Sequence, residues 1–213
     1  MDESTTREKV LKKIRNALIN KVESPFQNID FESSVMPAFT DEPEITFAEE
    51  FTRADGMFVY CENEEQLVDN LNAFVSSRGL LPVFVVDEKI KYYLDQANVP
   101  YLSDTDEFLK AHTGITFCEA LVARTGTIVM SSRMESGRKL MVYPEVHIVI
   151  AFASQVFGEL KDAIRHIRLR YQDNLPSLIS FITGPSRTAD IEKTLVKGAH
   201  GPRDLYLFFV DEI

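Results

Sequence analysis

The sequence has little cysteine. Its only two cysteines, Cys61 and Cys118, lie in apolar segments and form no C-x-x-C pair. Iron–sulfur clusters and structural zinc sites need several closely spaced thiolate or imidazole ligands, so this chain cannot build either from its own cysteines. We therefore predict two buried, reduced thiols and no cofactor held by this chain.

The sequence also has too few basic residues to match its acids. Its net charge is −10 and its pI is about 4.9. Nucleic acids and anionic membranes both demand a dense positive surface, so neither is expected as the main partner. No apolar stretch approaches the length of a membrane span, and no apolar signal core follows the first residues. We predict a cytoplasmic protein.

Several common catalytic motifs are missing. The chain contains no G-x-S-x-G nucleophile elbow and no G-x-G-x-x-G dinucleotide fingerprint. No two histidines share a helical turn, which argues against a local metal site, and none is predicted. The histidines are His112, His147, His166 and His200.

The N-terminal part differs in pattern from the rest. Ser4–Asn20 has apolar residues at helical spacing and a basic opposite face, so it predicts an amphipathic helix. Val22–Pro43 has three prolines and no clean period, which is typical of a linker. The helix either docks on its own domain or acts as a partner-binding arm. We divide the chain into residues 1–44, a helical extension and linker, and residues 45–213, a folded domain.

From Ile45 onward, predicted strands and helices alternate. This order indicates an α/β fold with a mostly parallel sheet flanked by helices. Ile115–Ala123 and Thr127–Ser131 are two apolar runs separated by a turn, which predicts a hairpin. The other predicted strands are Gly56–Cys61, Leu81–Val86, Val99–Leu102, Val146–Phe152, Ser177–Thr183 and Leu205–Val210, and the helices are Thr46–Arg53, Asn63–Ser77, Glu88–Gln96 and Gly158–Tyr171.

The segment that begins at Gly184 is the most distinctive. It reads Gly-Pro-Ser-Arg-Thr-Ala-Asp-Ile-Glu and follows a predicted strand. A small-residue turn that opens a helix directs free backbone N–H groups toward one point and suits an anion. Ser186 or Thr188 could cap such a helix, and Asp190 and Glu192 suit its first turn.

Five short motifs in this order resemble the LUD-domain, or lactate-utilisation protein C, family. The resemblance covers the chain best from about Gly114 onward. One position departs from the pattern, because the residue before Thr-Gly-Thr is usually acidic in the family and is Arg124 here. The motifs are Gly114-Ile115-Thr116 with Glu119, Thr125-Gly126-Thr127, Pro144–Val149, Gly184–Glu192 and His200-Gly201-Pro202.

The resemblance implies a fold similar to that of the sugar-phosphate isomerases and CoA transferases. It also implies a role in oxidising L-lactate to pyruvate as one subunit of a three-component system. In such a system two partner oxidoreductase subunits carry the iron–sulfur clusters, which agrees with the lack of cluster ligands here.

Ligands of open α/β sheets bind where the loops after the strands gather. We expect the loops Arg124–Thr127, Gly184–Thr188 and Lys197–Arg203 to line one pocket. Backbone amides and hydroxyl groups of the first two loops would hold a carboxylate or phosphate. The residues predicted to bind this anion are Thr125, Gly126, Thr127, Gly184, Pro185, Ser186, Arg187, Thr188, Asp190 and Gly201.

Glu119 and His200 are the candidate catalytic residues. Glu119 lies on an apolar strand, where it is either an acid, base or nucleophile, or a residue that faces outward in a period-2 alternation. His200 is flanked by Gly201 in a glycine-rich loop, where it either transfers protons or anchors the loop by hydrogen bonds.

Three functions remain open. The first is a non-iron–sulfur subunit of a lactate-oxidising system, inactive alone, that binds a carboxylate, phosphate or nucleotide. The second is an independent isomerase or CoA/acyl-transferase that acts on a small carboxylate or sugar phosphate, with Glu119 as base or nucleophile. The third is a regulatory ligand sensor. A homo-oligomer is compatible with each.

Overall fold

The computed structural model describes residues 5–19, 36–189, 195–198 and 200–211. The chain forms two compact units, Met1–Ala38 and Phe39–Ile213. The division thus falls a few residues before the predicted boundary at residue 44.

The described part of the first unit is one helix, α1 (Thr6–Ile19). Thr5 and Glu8 begin it as a reciprocal capping pair. The Glu8 amide donates to the Thr5 hydroxyl at 3.4 Å, and the Glu8 carboxylate accepts from the Thr5 amide at 2.8 Å. The predicted amphipathic helix is confirmed, and most of the predicted linker lies outside the described residues.

The second unit is built on a six-stranded parallel sheet. Its strand order is β1-β12-β7-β4-β2-β3. The central position of β7 agrees with its almost wholly apolar sequence, since a strand covered on both faces needs no polar side. The strands are β1 (Met57–Cys61), β2 (Val83–Phe84), β3 (Tyr101–Leu102), β4 (Thr113–Thr116), β7 (Val146–Phe152) and β12 (Asp204–Val210).

A second sheet of four strands packs beside the first, in the order β8-β5-β6-β9. The pairing of β5 with β6 is antiparallel and confirms the predicted hairpin. A separate two-stranded hairpin, β10 with β11, is also antiparallel. These strands are β5 (Ala120–Val122), β6 (Thr127–Ser131), β8 (Val156–Phe157), β9 (Ile179–Ile182), β10 (Arg187–Ala189) and β11 (Leu195–Lys197).

Local signals set the ends of the helices. Asn63 caps α3 by accepting from the Gln66 amide, and Gly79 ends it in the left-handed conformation. Asp87 caps α4 by accepting from two backbone amides. The α-helices of this unit are α2 (Pro43–Arg53), α3 (Glu64–Arg78), α4 (Glu88–Gln96) and α5 (Leu160–Tyr171), and the short 3-10 turns are Thr105–Lys110, Ala123–Thr125 and Ala153–Gln155.

The parallel sheet carries a core on each face. On β7, Ile148 and Ile150 face the cluster formed with α3 and α4, whereas Val149 and Ala151 face α2 and the second sheet. This alternation gives two apolar layers from one strand. The α/β fold with a mostly parallel sheet is therefore confirmed.

Two predicted elements are wrong in detail. Ile115–Ala123 is not one strand, because β4 ends at Thr116 in the parallel sheet and β5 begins at Ala120 in the second sheet. No helix begins at Gly184. The chain instead forms β10, since pairing of residues 187–189 with residues 195–197 prevails over the local capping pattern.

Candidate functional site

The parallel sheet has a cavity of about 390 Å³ at the carboxyl ends of β2, β4 and β7. This is the edge at which open α/β sheets bind ligands, because the loops that follow the strands converge there. Residues after β6 and at the end of α5 complete its wall. The lining residues are Asp87, Lys89, Phe117, Cys118, Glu119, Arg133, Met134, Glu135, Phe152, Gln155, Arg170 and Tyr171.

Glu119 lines this cavity and is only 1% exposed. Its Oε1 accepts from the Ser131 hydroxyl at 2.5 Å and from the Tyr171 hydroxyl at 2.6 Å. Its Oε2 accepts from the Arg170 guanidinium at 2.9 Å. A buried carboxylate needs such partners, because an unpaired one is costly to remove from water. The side chain therefore does not face outward, which rules out the alternative of an exposed strand residue.

The fold brings these partners together from separate elements. Glu119 stands in the short step between the two sheets, where its amide donates to the Val129 carbonyl at 2.8 Å. Because β6 runs antiparallel to β5, its last residue, Ser131, lies beside Glu119. Gln155 holds the same step from the other side, since its Nε2 donates to the Cys118 carbonyl at 2.6 Å.

Arg170 gives the cavity a charged group that is open to a ligand. Its side chain is 54% exposed while Glu119 is buried beneath it. A guanidinium has five N–H donors, and the bond to Glu119 uses one of them. Within the described residues the other donors have no acceptor, so they can bind a planar anion, which arginine holds through two parallel hydrogen bonds. Burial and the adjacent Glu119 together raise the pKa of Tyr171, which keeps its hydroxyl a donor at neutral pH.

The predicted loop Arg124–Thr127 lies away from this cavity. Thr127 and Ser131 stand at opposite ends of β6, about 13 Å apart for a strand of this length. The Thr127 hydroxyl is hydrogen bonded at 2.7 Å to the hydroxyls of both Thr125 and Thr183. These hydroxyls satisfy one another, and they connect β6 to the end of β9.

Arg187 contacts the C-terminal end of α2. Its guanidinium donates to the Ala54 carbonyl at 3.1 Å and pairs with the Asp55 carboxylate at 2.6 Å. Cations are favourable at this end of a helix, where the last carbonyls carry partial negative charge. Gly126 and Gly184 also pack against α2. The predicted anion loops therefore meet carbonyl groups here, and a helix C-terminus disfavours an anion.

A second, smaller cavity of about 210 Å³ brings the other predicted residues together. The Ser186 amide donates to the Pro202 carbonyl at 2.8 Å, which joins the two loops. The loop that contains Pro202 precedes β12, so this cavity lies at the amino end of that strand. Glu119 and His200 thus line different cavities. The smaller cavity is lined by Met141, Val142, Phe181, Ile182, Thr183, Gly184, Pro185, Ser186, His200, Gly201, Pro202 and Leu205.

The remaining predicted residues have varied settings. Thr188 lies in β10, and Asp190 lies outside the described residues. Both cysteines are free and buried, as predicted. In the described part of the chain, no three His, Cys, Asp or Glu side chains gather as metal ligands.

Arg124 has a definite structural role. It donates to the Glu159 carboxylate at 2.5 Å and 3.0 Å, and its guanidinium lies 4.0 Å from the centre of the Phe39 ring. The charge of Arg124 is thus matched by an acidic partner on a neighbouring segment. Its side chain does not point to solvent.

Sequence reasoning did not find the partners of Glu119. The sequence pattern predicts only that Arg170 and Tyr171 end the helix Gly158–Tyr171, and it gives neither of them a role in a site. The position of Arg170 in the last turn of α5, before a change of chain direction, is the one weak signal that could have marked it. The residues that were missed are Lys89, Ser131, Arg133, Gln155, Arg170 and Tyr171.

None of the helices in the described part of the chain combines the length and apolarity needed to cross a membrane.

Comparison with known families shows that residues 46–210 match the model of the LUD domain. This match covers most of the chain and includes every strand from β1 to β12.

Several curated relatives are named lactate utilization protein C. Lactate utilization protein C of Shouchella clausii is 41% identical over 103 residues, which cover 48% of this chain and 45% of that protein. The protein of the same name from Halalkalibacterium halodurans is 32% identical over 162 residues, which cover 69% of each chain. The chain spans about half the length of relatives such as the first.

A solved structure has the same fold. The crystal structure of a DUF162 family protein from Deinococcus radiodurans has a TM-score of 0.61 with this chain at 19% identity. The superposition covers 82% of this chain and 99% of that one. At this level of identity the likeness concerns the fold alone.

Proposed function

Because the chain belongs to the LUD domain family, we propose that it acts in lactate utilisation as the non-iron–sulfur subunit of an L-lactate-oxidising system and binds a small carboxylate beside Glu119. Two partner oxidoreductase subunits carry the iron–sulfur clusters in this proposal. The names of the relatives support the metabolic role, and the cavity supports the carboxylate.

The observation that supports carboxylate binding is the pairing of buried Glu119 with half-exposed Arg170. Arginine has rotamer freedom that a ligand must otherwise restrict, and the bond to Glu119 removes much of it in advance. The guanidinium is then presented to the cavity with donors to spare. A carboxylate that docks on it forms charge-assisted hydrogen bonds, which are about twice as strong as neutral ones.

Glu119 is accordingly a positioning residue in this proposal. Its Oε1 already accepts two hydrogen bonds, from Ser131 and Tyr171, so both lone pairs of that oxygen are occupied. A nucleophile or base must expose a lone pair to the substrate. The bonding of Glu119 instead favours a fixed orientation of Arg170.

Substitution of Arg170 tests the carboxylate site. Arg170→Ala should weaken L-lactate binding, measured by isothermal titration calorimetry on the full chain, by tenfold or more. Arg165→Ala is the matched control, because Arg165 lies on the same helix, is exposed and pairs with Asp162 three residues away. Equal affinities of the two variants would contradict a carboxylate site at Arg170.

Purification of the tagged chain from lactate-grown cells tests the subunit role. We expect two iron–sulfur proteins in the eluate, a visible absorption spectrum typical of the clusters, and lactate oxidation with an artificial acceptor. Omission of this chain from the reconstituted mixture should abolish that activity. Full activity without this chain would contradict the proposal.

A second candidate function, an independent isomerase or CoA/acyl-transferase, rests on the single hydrogen bond that Oε2 of Glu119 accepts within the described residues. That oxygen retains a lone pair, so Glu119 could serve as base or nucleophile. Glu119→Gln should then abolish turnover by the chain alone. The positioning role predicts no turnover in the first place and a weaker lactate affinity in this variant.

A further inference from the structure

The Glu119 cavity is also lined by a second arginine, Arg133, two residues after the end of β6. The two arginines are joined through one hydroxyl. Ser131 donates its O–H to Glu119, the partner of Arg170, and accepts from the backbone amide of Arg133 at 3.1 Å. The backbone of Arg133 is therefore fixed relative to the Glu119–Arg170 pair.

The charge of Arg133 is oriented but not neutralised. Its guanidinium donates to the amide oxygen of Asn174, which is a neutral group. Within the part of the chain that the structure describes, no carboxylate forms an ion pair with Arg133. Its positive charge is therefore available to an anion in the cavity.

The other charged groups of the cavity lie in different settings. Lys89 pairs with Glu64 at 2.8 Å, outside the cavity lining. The Asp87 carboxylate caps α4 by accepting from backbone amides. Glu135 lies near Lys91, whose pKa is raised by Glu88 first and by the charge of Glu135 among others. Among the described residues, none of these groups forms an ion pair or a hydrogen bond with Arg133.

The volume of the cavity also favours a ligand that is larger than lactate. At about 390 Å³ it falls within the range of about 300–1,000 Å³ found for sites that hold drug-sized ligands. L-lactate on Arg170 would leave much of this space unfilled. A longer molecule would reach from Arg170 to the second guanidinium.

We infer that the Glu119 cavity selects a ligand with two anionic groups, one bound by Arg170 and the other by Arg133. The inference rests on the proposed carboxylate site and names its ligand class. Arg133 is then the residue that sets specificity, since it distinguishes a dianion from a monocarboxylate such as lactate.

Dicarboxylates of increasing length are suitable probes. Affinities of malonate, succinate and glutarate are compared with that of L-lactate by isothermal titration calorimetry at low ionic strength. We expect at least one dicarboxylate to bind tenfold or more tightly than lactate. Arg133→Ala should weaken the dicarboxylates more than lactate and so remove this preference, whereas Arg170→Ala should weaken both classes.

Arg138→Ala is the control for Arg133→Ala. Arg138 lies in the same segment after β6 and donates to Ser177, but it does not line the Glu119 cavity. This variant should retain the dicarboxylate preference. If it loses that preference as Arg133→Ala does, the effect is one of general charge and the inference is overturned.

Two further outcomes separate the inference from the proposed function. Lactate binding that depends on Arg170, with no preference for any dicarboxylate, overturns the two-anion ligand and leaves the carboxylate site standing. Failure of every probe to bind the wild-type chain overturns both.

Discussion

The carbonyl oxygen of Ala54 lies only 2.0 Å from the point where a β-carbon on Gly184 would stand. Gly126 approaches the same helix as closely, since its β-carbon would lie 2.2 Å from the backbone nitrogen of Phe51. Both glycines have positive φ, +78° and +57°. The two loops predicted to bind an anion are thus the two loops on which the end of α2 packs.

Gly184→Ala should therefore destabilise the fold severely. The left-handed conformation costs an alanine about 1–2 kcal/mol, and the clash with a backbone carbonyl adds to it, for a total loss of about 3 kcal/mol or more. Urea unfolding measures this loss. Gly79→Ala is the matched control, because Gly79 has φ +63° and open space around it, and it should lose only about 1–2 kcal/mol. Similar losses in both variants would show that the close contact with Ala54 is unimportant.

The Thr127 hydroxyl should matter for stability and not for ligand binding. Thr127→Val removes its bonds to Thr125 and Thr183 and should cost about 1–2 kcal/mol of unfolding free energy. Thr127→Ser keeps the hydroxyl and should recover most of that loss. Lactate affinity should be the same in wild type and both variants. A loss of affinity in Thr127→Val as large as that in Arg170→Ala would restore this loop to the binding site.

The elements that the sequence predicts best are those with their own local signals. Helix α4 spans Glu88–Gln96 as predicted, because Asp87 caps it and its apolar residues recur at helical spacing. Helix α3 ends at Gly79 for a similarly local reason. Such signals lie within a few residues of the element, so a single sequence contains them.

The errors concern long-range pairing. The apolar pattern of Ile115–Ala123 does not show that the chain leaves one sheet at Thr116 and enters another at Ala120. The capping residues after Gly184 likewise carry no information about the partner strand. The partners of Glu119 are not predicted for the same reason, because Arg170 is 51 residues from Glu119 in the sequence and only the fold brings the two together.

Burial of His147 should make the fold sensitive to mild acid. Burial lowers its pKa from 6.5 to about 4, and the ring is hydrogen bonded to Thr116 at 2.9 Å. In the folded chain the ring stays neutral down to about pH 4, whereas in the unfolded chain it binds a proton below about pH 6.5. Stability is thus complete above pH 6.5 and decreases as the pH falls toward 4.

Urea unfolding at pH 7.5 and pH 5 measures this effect. The His147 contribution to the difference should be about 2 kcal/mol, since each unit below 6.5 corresponds to about 1.4 kcal/mol. His147→Gln should reduce the difference by that amount, although the variant is itself less stable at both values. An unchanged difference in His147→Gln would contradict this origin of acid sensitivity.

Restoring the family's usual acid at position 124 should harm this chain. Arg124→Glu places a carboxylate beside Glu159, with both sites partly buried, and also removes the contact of the guanidinium with the Phe39 ring. We expect a loss of about 2 kcal/mol in unfolding free energy. Glu159→Arg alone should be destabilising for the same reason, because it opposes Arg124.

The double variant Arg124→Glu with Glu159→Arg tests whether the ion pair or the contact with Phe39 accounts for the stabilising effect of Arg124. If the ion pair explains Arg124, the double variant should be more stable than either single variant, with a favourable coupling energy of about 1 kcal/mol or more in the cycle. Recovery should stay incomplete, because an arginine before the first turn of α5 opposes the helix dipole and the Phe39 contact is lost. Additive losses would instead mean that Phe39, and not Glu159, accounts for the arginine at this position.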